Sequence, residues 1–119
     1  MSNINLNLKE DFIINEQGTH YSLPCYKVIE GQGIGVTANY VELKFVRGSK
    51  LKGEVVEKRE GTLHEHLLAA MIHDLEYKNS LVPSKEGSLV ITKLQEALGW
   101  LRQRQIDRIK RDVVGTYKK

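Results

Sequence analysis

The sequence has little cysteine, proline or aromatic character, and it lacks a long apolar run. It contains one cysteine, two prolines and 7% aromatic residues in 119 positions. A lone Cys25 excludes an internal disulfide and is typical of a reducing compartment; we interpret it as a small hydrophobic residue in a strand. The longest apolar run, residues 67–72, is far shorter than the roughly 20 residues of a membrane span. The first residues also lack the blocks of a signal peptide, so we expect a cytoplasmic protein.

What the chain does contain is typical of a globular domain. It is 40% hydrophobic and 28% charged, and its length suits a single domain over residues 1–119. Residues 1–60 carry eight basic and eight acidic side chains, so the net charge of +3 arises entirely from residues 61–119. This excess is too small to indicate a duplex-DNA surface. It predicts that an anionic partner meets the C-terminal half.

The N-terminal half has the pattern of strands. Four segments are rich in β-branched and aromatic residues: 12–14, 20–29, 36–46 and 51–58. Val41, Leu43 and Phe45 alternate with polar residues, as in a half-buried strand. The glycine-rich segment 31–35 lies between strands rather than before a helix, so it predicts a hairpin turn and not a dinucleotide loop. We expect three or four antiparallel strands within residues 1–60.

From Gly61 onward the pattern is helical. Thr62 and Glu65 have the spacing of a capping box, which predicts a helix from there to about Tyr77. Its apolar stripe is predicted to comprise Leu63, Leu67, Met71 and Leu75, widened by Leu68 and Ile72. Residues 78–83 break the helix. Ser84 is placed to cap a second helix that extends to about Arg111, with an apolar face at Ile91, Leu94, Leu98 and Leu101. The predicted fold is α+β: an N-terminal antiparallel strand region, a long helical hairpin over 61–112 and a tail over 113–119.

The second helix carries the candidate ligand-binding cations. Arg104 and Arg108 are four residues apart, so both guanidinium groups leave the same face, with Arg111 at its edge. Aligned arginines bind phosphate or pyrophosphate well, because the planar fork matches oxyanion geometry. The alternative is a solvated basic helix end. An aromatic ring nearby would complete a nucleotide pocket, and Tyr77 suits this role better than Trp100, which we expect in a core or an interface.

The remaining polar residues do not form a recognisable catalytic arrangement. His64, His66 and His73 lack the spacing of a zinc motif, and neither a nucleophile elbow nor a CxxC pair is present. Acidic residues on the helices lie among Lys and Arg, where surface ion pairs are expected. The sequence therefore predicts a binding protein rather than an enzyme, without a metal or another cofactor.

The helical half resembles a known family. The segment 91–104, ITKLQEALGWLRQR, together with Arg108 and the Val-Gly-Thr ending at Thr116, is similar to the helical-hairpin core of phage signal sponges. One such family is all-helical and sequesters the cyclic oligonucleotides of CBASS immunity. The strand-rich half before the hairpin makes this chain more similar to the Thoeris anti-defence sponges. These sequester glycocyclic ADP-ribose made by TIR-domain enzymes in the infected bacterial host.

The resemblance implies roles for individual residues. Tyr77 occupies the place of an aromatic that stacks on the ligand, and Arg104 and Arg108 match two arginines that grip its phosphates. The predicted site also includes Asn79, Glu86, Gly87 and Arg111. The family often has Asn after the Glu of this helical turn, whereas here Gly87 follows Glu86. This departure leaves open which of the glycocyclic isomers is preferred.

The resemblance also implies assembly. Family members form homo-oligomers, either dimers or hexamers, with pockets at subunit contacts, and some bind cyclic di- or trinucleotides at separate sites. Two hypotheses of other classes stay open from the residues alone. One is a small nucleic-acid-binding regulatory protein that uses the basic C-terminal helix, and the other is a structural module that only oligomerises.

Overall fold

The computed structural model describes residues 11–48 and 57–115, with side chains as far as Arg111. Three strands come first: β1 (Ile13–Glu16), β2 (His20–Ile29) and β3 (Gly33–Lys44). Two helices follow, α1 (His64–Leu81) and α2 (Lys85–Gly115). The chain divides into two compact units, Met1–Thr62 and Leu63–Lys119, which we describe separately as the sheet unit and the helical unit. The predicted α+β fold is confirmed.

The sheet unit is an antiparallel meander with the strand order β1-β2-β3. The β2–β3 hairpin turns at residues 30–32, and Gly31 and Gly33 both have positive φ, a conformation that glycine adopts without steric cost. The predicted hairpin turn is thus confirmed, although β3 already begins at Gly33. The predicted first and second strands are also confirmed. Most of the predicted fourth strand, 51–58, lies outside the described residues.

The most deeply buried side chains in the described part of the sheet unit are polar. They are those of Thr19 and Ser22, which are 2% and 7% exposed. The Ser22 hydroxyl donates to Glu42 Oε1 at 2.9 Å, and His20 Nε2 lies 2.6 Å from the same oxygen. Hydrogen bonding from His20 and then from Ser22 lowers the pKa of Glu42, because both contacts favour the carboxylate. Cys25 is half-buried in β2, as predicted.

The predicted capping box does not form. The helix begins at His64 with Leu63 as its N-cap, and no side chain caps it. The Thr62 N–H instead donates to the Lys44 carbonyl at 2.9 Å, and the Thr62 carbonyl accepts from Val46 N–H at 3.0 Å. Thr62 is therefore held by a bridge at the end of β3, so it belongs to the sheet unit rather than to the helix.

The first helix is longer than predicted, and its buried face is rotated. It continues past Tyr77 to Leu81, where Val82 N–H donates to the Lys78 carbonyl. Its contact with α2 is centred on Ile72, whereas Leu63 and Met71 of the predicted stripe are exposed. The predicted stripe was drawn through large apolar residues alone, so it omitted Ala69, which contributes to the buried face.

The second helix packs as the sequence predicts. Ile91 and Leu98 are buried, and Leu94 and Leu101 are half-buried. With 31 residues α2 is much longer than the 18-residue α1, and it continues past Arg111 to Gly115. Trp100 is 71% exposed, so within one chain it does not enter the core. In residues 11–48 and 57–115, neither helix is long and apolar enough to cross a membrane.

The turn between the helices is fixed by side-chain hydrogen bonds. The Ser84 hydroxyl accepts from Gly87 N–H at 2.9 Å, which confirms Ser84 as the cap of α2. The Asn79 Oδ1 accepts from Ser84 N–H at 3.1 Å, and its Nδ2 donates to Ser88 Oγ at 3.2 Å. A Cβ at position 87 would lie 2.5 Å from Asn79 Oδ1. Gly87 therefore allows Asn79 to bridge the two helices.

Candidate anion-binding cleft

Arg104 and Arg108 lie together at the open end of the hairpin, where α2 passes the start of α1. They line a cleft of about 110 Å³. The other lining residues are Leu63, His64, Glu65, Leu101 and Gln105. We call this feature the arginine cleft. The structure thus brings together the two arginines that the sequence singled out.

The two guanidinium groups are available to a ligand. Both side chains are exposed, and neither has a hydrogen-bond or ion-pair partner among the residues that the structure describes. Two other cations are engaged in ion pairs: Arg59 contacts Glu16 and Glu57, and Lys78 contacts Asp74 at 3.0 Å. Arg104 and Arg108 can therefore bind an anion without first breaking an internal ion pair.

The start of α1 adds a second source of positive potential. The first N–H groups of a helix lack intrahelical partners and carry the positive end of the helix dipole. The N-cap residue of α1 is Leu63, whose side chain makes no capping hydrogen bond, and Leu63 and His64 line the same cleft as the arginines. A helix N-terminus facing two guanidinium groups is a good environment for phosphate. Glu65 is the one acidic lining residue and leaves the cleft net positive.

The cleft is too small for a whole nucleotide. At about 30 Å³ for each molecule of liquid water, its volume corresponds to a few waters. This is enough for a phosphate or pyrophosphate group but not for a base and two riboses as well. A nucleotide bound here must therefore extend beyond the cleft and meet another surface.

The other predicted site residues lie at the far end of the hairpin. Asn79, Glu86 and Gly87 surround the interhelical turn, and Tyr77 is 60% exposed one turn before the end of α1. Gly87 and Arg104 are 17 residues apart on one helix, which corresponds to about 26 Å. Within one chain the predicted site is thus divided into two parts. One is the arginine cleft, and the other, which we call the turn group, consists of Tyr77, Asn79, Glu86 and Gly87. Arg111 is exposed and does not line the cleft.

Sequence reasoning did not identify the contribution of His64 and Glu65 to the cleft. His64 was interpreted as an ordinary polar helix position and Glu65 as the second residue of a capping box, because Thr62 was predicted to be the N-cap. Leu63 is the N-cap instead, and it makes no side-chain capping hydrogen bond. The packing of this turn against Arg104 is a tertiary contact that periodicity does not reveal.

A second groove lies between the helices, on the other side of the hairpin. Its volume is about 350 Å³, and its polar lining includes His73, Glu76, Gln95 and Arg102. Gln95 Nε2 donates to Glu76 Oε2 at 3.3 Å across the groove. Among the residues that the structure describes, no three His, Cys, Asp or Glu side chains form a group that could hold a metal ion.

Comparison with known proteins gives one informative match. No protein-family model matches the chain. A protein named Thoeris anti-defense 1, from Bacillus phage SBSphiJ7, is 43% identical to it over 60 residues. The match covers 50% of this chain and 42% of the phage protein, so the similarity extends over less than half of that relative. Over half of its length, this chain is therefore similar to a Thoeris anti-defence protein, which supports the resemblance predicted from the sequence.

Proposed function

We propose that this protein is a phage anti-defence protein that binds and sequesters a cyclic ADP-ribose-type immune signal. The signal in question is glycocyclic ADP-ribose, the product of TIR enzymes in Thoeris defence. The arginine cleft carries this proposal, because it brings two unpaired guanidinium groups beside the positive end of a helix dipole. The similarity to a Thoeris anti-defence protein supports the class of ligand.

The pyrophosphate of the signal is the group that the cleft fits best. Its negative oxygens can accept charge-assisted hydrogen bonds from Arg104 and Arg108, each of which presents a planar fork of donors. The start of α1 adds the positive end of a helix dipole. The backbone of α1 and α2 is already ordered in the helices, so little backbone freedom is lost on binding.

The base and riboses must be bound outside the cleft. Tyr77 offers an exposed ring for stacking, and Asn79, Glu86 and Gly87 offer polar atoms at the turn. Gly87 of this group lies about 26 Å from Arg104 along α2, so we infer that one signal does not reach both groups in a single chain. A homo-oligomer in which the turn group of one copy approaches the cleft of another would unite them.

The cleft is suited to holding its ligand rather than to cleaving it. Its lining supplies two guanidinium groups, one amide, one imidazole, one carboxylate and apolar surface, and contains no Ser, Thr or Cys nucleophile. Binding without turnover would keep the signal from its effector for as long as the complex lasts. The proposed activity is therefore sequestration, which requires slow release and no chemistry.

A recovery experiment tests this function. Purified protein is mixed with glycocyclic ADP-ribose, freed of excess ligand and heat-denatured, and the supernatant is chromatographed. Recovery of the intact signal in proportion to protein supports sequestration. Recovery of linear ADP-ribose would show cleavage and overturn the proposal.

Parallel samples with cyclic di- and trinucleotides and with duplex DNA identify other ligands. Retention of a cyclic oligonucleotide alone would assign the protein to CBASS signals instead. Retention of DNA with a steep salt dependence, and of no small nucleotide, would favour a nucleic-acid-binding protein that uses the basic end of α2.

A further inference from the structure

The lining of the arginine cleft includes one carboxylate, that of Glu65. This residue lies in the first turn of α1, is half-buried, and shares the cleft with Arg104 and Arg108. Among the side chains that the structure describes, Glu65 has neither a hydrogen-bond partner nor an ion-pair partner. Its charge is therefore not neutralised by a neighbour and acts directly on whatever enters the cleft.

The position of Glu65 has two consequences of opposite sign. An acidic side chain in the first turn of a helix interacts favourably with the helix dipole, so Glu65 stabilises the start of α1. For a bound anion, however, the same carboxylate is repulsive. The cleft has the volume of only a few water molecules, so a phosphate that fills it lies close to every wall, including Glu65.

Phosphate groups differ in the charge that they bring to such a cleft. A phosphate esterified on both sides carries one negative charge, whereas a terminal phosphate carries nearly two at neutral pH, because its second pKa is about 6. The pyrophosphate of a cyclic ADP-ribose-type signal is bridged at both ends, while ADP and ATP end in a terminal phosphate. Two guanidinium groups and one carboxylate give the cleft a net charge of +1 when His64 is neutral. Repulsion from Glu65 grows with each further charge on the ligand.

We propose that Glu65 is a specificity-determining residue of the arginine cleft. Its carboxylate favours pyrophosphates that are bridged at both ends over nucleotides that end in a terminal phosphate. This inference rests on the proposed function, since it concerns the ligand class of the same site. One further like charge a few ångströms away weakens binding by about ten-fold, at dielectric constants between those of water and of a protein surface. Such repulsion gives specificity against ADP and ATP without tighter binding of the signal.

A comparison of two linear nucleotides tests the proposal. ADP and ADP-ribose share adenosine and a pyrophosphate, and differ in whether the second phosphate is bridged to a ribose. Calorimetric titrations in magnesium-free buffer give the ratio of their dissociation constants, which we call the bridging preference. The preference for ADP-ribose should fall by about ten-fold in Glu65→Gln and be retained in Glu65→Asp. An unchanged preference in Glu65→Gln would overturn the proposal.

Two further variants separate the local effect from the net charge of the protein. Glu96→Gln makes the same change at an exposed residue, about 12 Å before Arg104 along α2. At 0.1 M ionic strength this exceeds the Debye length of about 10 Å, so the preference should stay within about two-fold of the wild type. Gln105→Glu adds a second carboxylate to the lining at an exposed position, and should raise the preference while weakening both nucleotides. Equal effects of Glu96→Gln and Glu65→Gln, or a preference that Gln105→Glu does not raise, would contradict the proposal.

Parallel titrations with glycocyclic ADP-ribose distinguish this inference from the proposed function, and circular dichroism confirms that each variant is folded. If the wild type binds the cyclic signal but Glu65→Gln keeps the bridging preference, the role of Glu65 is rejected and the function stands. If Glu65→Gln loses the preference but the wild type does not bind the cyclic signal, the role of Glu65 stands and the function is rejected. A wild type that binds none of the three nucleotides rejects both.

Discussion

The two units of the chain bury different chemistry. In the described part of the helical unit the buried side chains are apolar, with Ile72, Ile91 and Leu98 at the centre of the interface. In the described part of the sheet unit they are polar, namely Thr19 and Ser22. Helices pack through side chains, so a small apolar cluster holds the hairpin. The sheet unit is held by its strand ladder, by the hydrogen bonds around Glu42 and by edge-to-face contacts of the Tyr21 ring with Phe12 and Phe45.

The two units also differ in how their charged side chains are paired. Basic and acidic side chains are equal in number over residues 1–60. Glu16 and Glu57 there satisfy Arg59 directly. In the helical unit Arg104 and Arg108 are left without partners at the end of a long helix. The aligned, unpaired arginines are the reason that we place the proposed ligand site in the helical unit.

The largest predicted effect is the loss of the apolar contact in the hairpin. Leu98→Ala should lower the free energy of unfolding by about 2–5 kcal/mol, because it leaves a cavity between two helices with few other buried contacts. Thermal melting followed by far-ultraviolet circular dichroism measures this change. The control Val28→Ala, at a residue 81% exposed in the sheet unit, should stay within about 0.5 kcal/mol. Equal losses for both would contradict the contrast between the units.

The next effect concerns the turn. Asn79→Ala removes the acceptor for Ser84 N–H and the donor to Ser88 Oγ. At about 1 kcal/mol for each hydrogen bond, it should destabilise the protein by about 2 kcal/mol. Denaturant titration measures the loss. Ser80→Ala, which removes only a bond to the Tyr77 carbonyl in the same helix, should cost clearly less.

A smaller effect links Gly87 to Asn79. Alanine is favoured over glycine in a helix by about 1 kcal/mol, but at position 87 its Cβ would displace the Asn79 amide. Gly87→Ala should therefore give no gain in the wild type, yet stabilise the Asn79→Ala variant by up to about 1 kcal/mol. A double-mutant cycle in denaturant measures the coupling. Additive effects would show that glycine is not needed for the turn.

The smallest effect is expected in the sheet unit and depends on pH. The pKa of folded Glu42 is below the ordinary value of 4.5, so its contribution to stability is present above that pH. This contribution should disappear as the pH falls through the lowered pKa. Near neutral pH the Glu42→Gln variant should therefore melt at a lower temperature than the wild type. In strong acid the two proteins should melt at the same temperature. Glu30→Gln, at an exposed residue in the hairpin turn, is the control for loss of charge.

Much of the fold could be predicted from the residues. Hydrophobic period distinguished strands from helices, and Ser84 marked the start of α2, because caps and periodicity are local properties. The start of α1 was wrong, since Thr62 has a side chain suited to capping but its backbone pairs with β3. A tertiary contact overrode a local preference there.

The candidate site was predicted only in part. The spacing of Arg104 and Arg108 placed them on one helix face, and the structure places both in one cleft. The spacing did not reveal that the turn group lies about 26 Å away, because that distance depends on where the two helices end. Nor did it identify the start of α1 as a wall of the cleft. Which residues share a site is a property of packing.

The most direct test of the account is a calorimetric titration of glycocyclic ADP-ribose into two arginine variants. Arg108→Ala removes a cation of the arginine cleft, whereas Arg102→Ala makes the same change in the other groove. At about 1.5–3 kcal/mol for a charged hydrogen bond, Arg108→Ala should weaken binding by about 10- to 100-fold with the fold intact. Arg102→Ala should leave the affinity within about two-fold of the wild type, because it lies outside the cleft. Equal affinities for Arg108→Ala and the wild type would contradict the assignment of the phosphates to the arginine cleft.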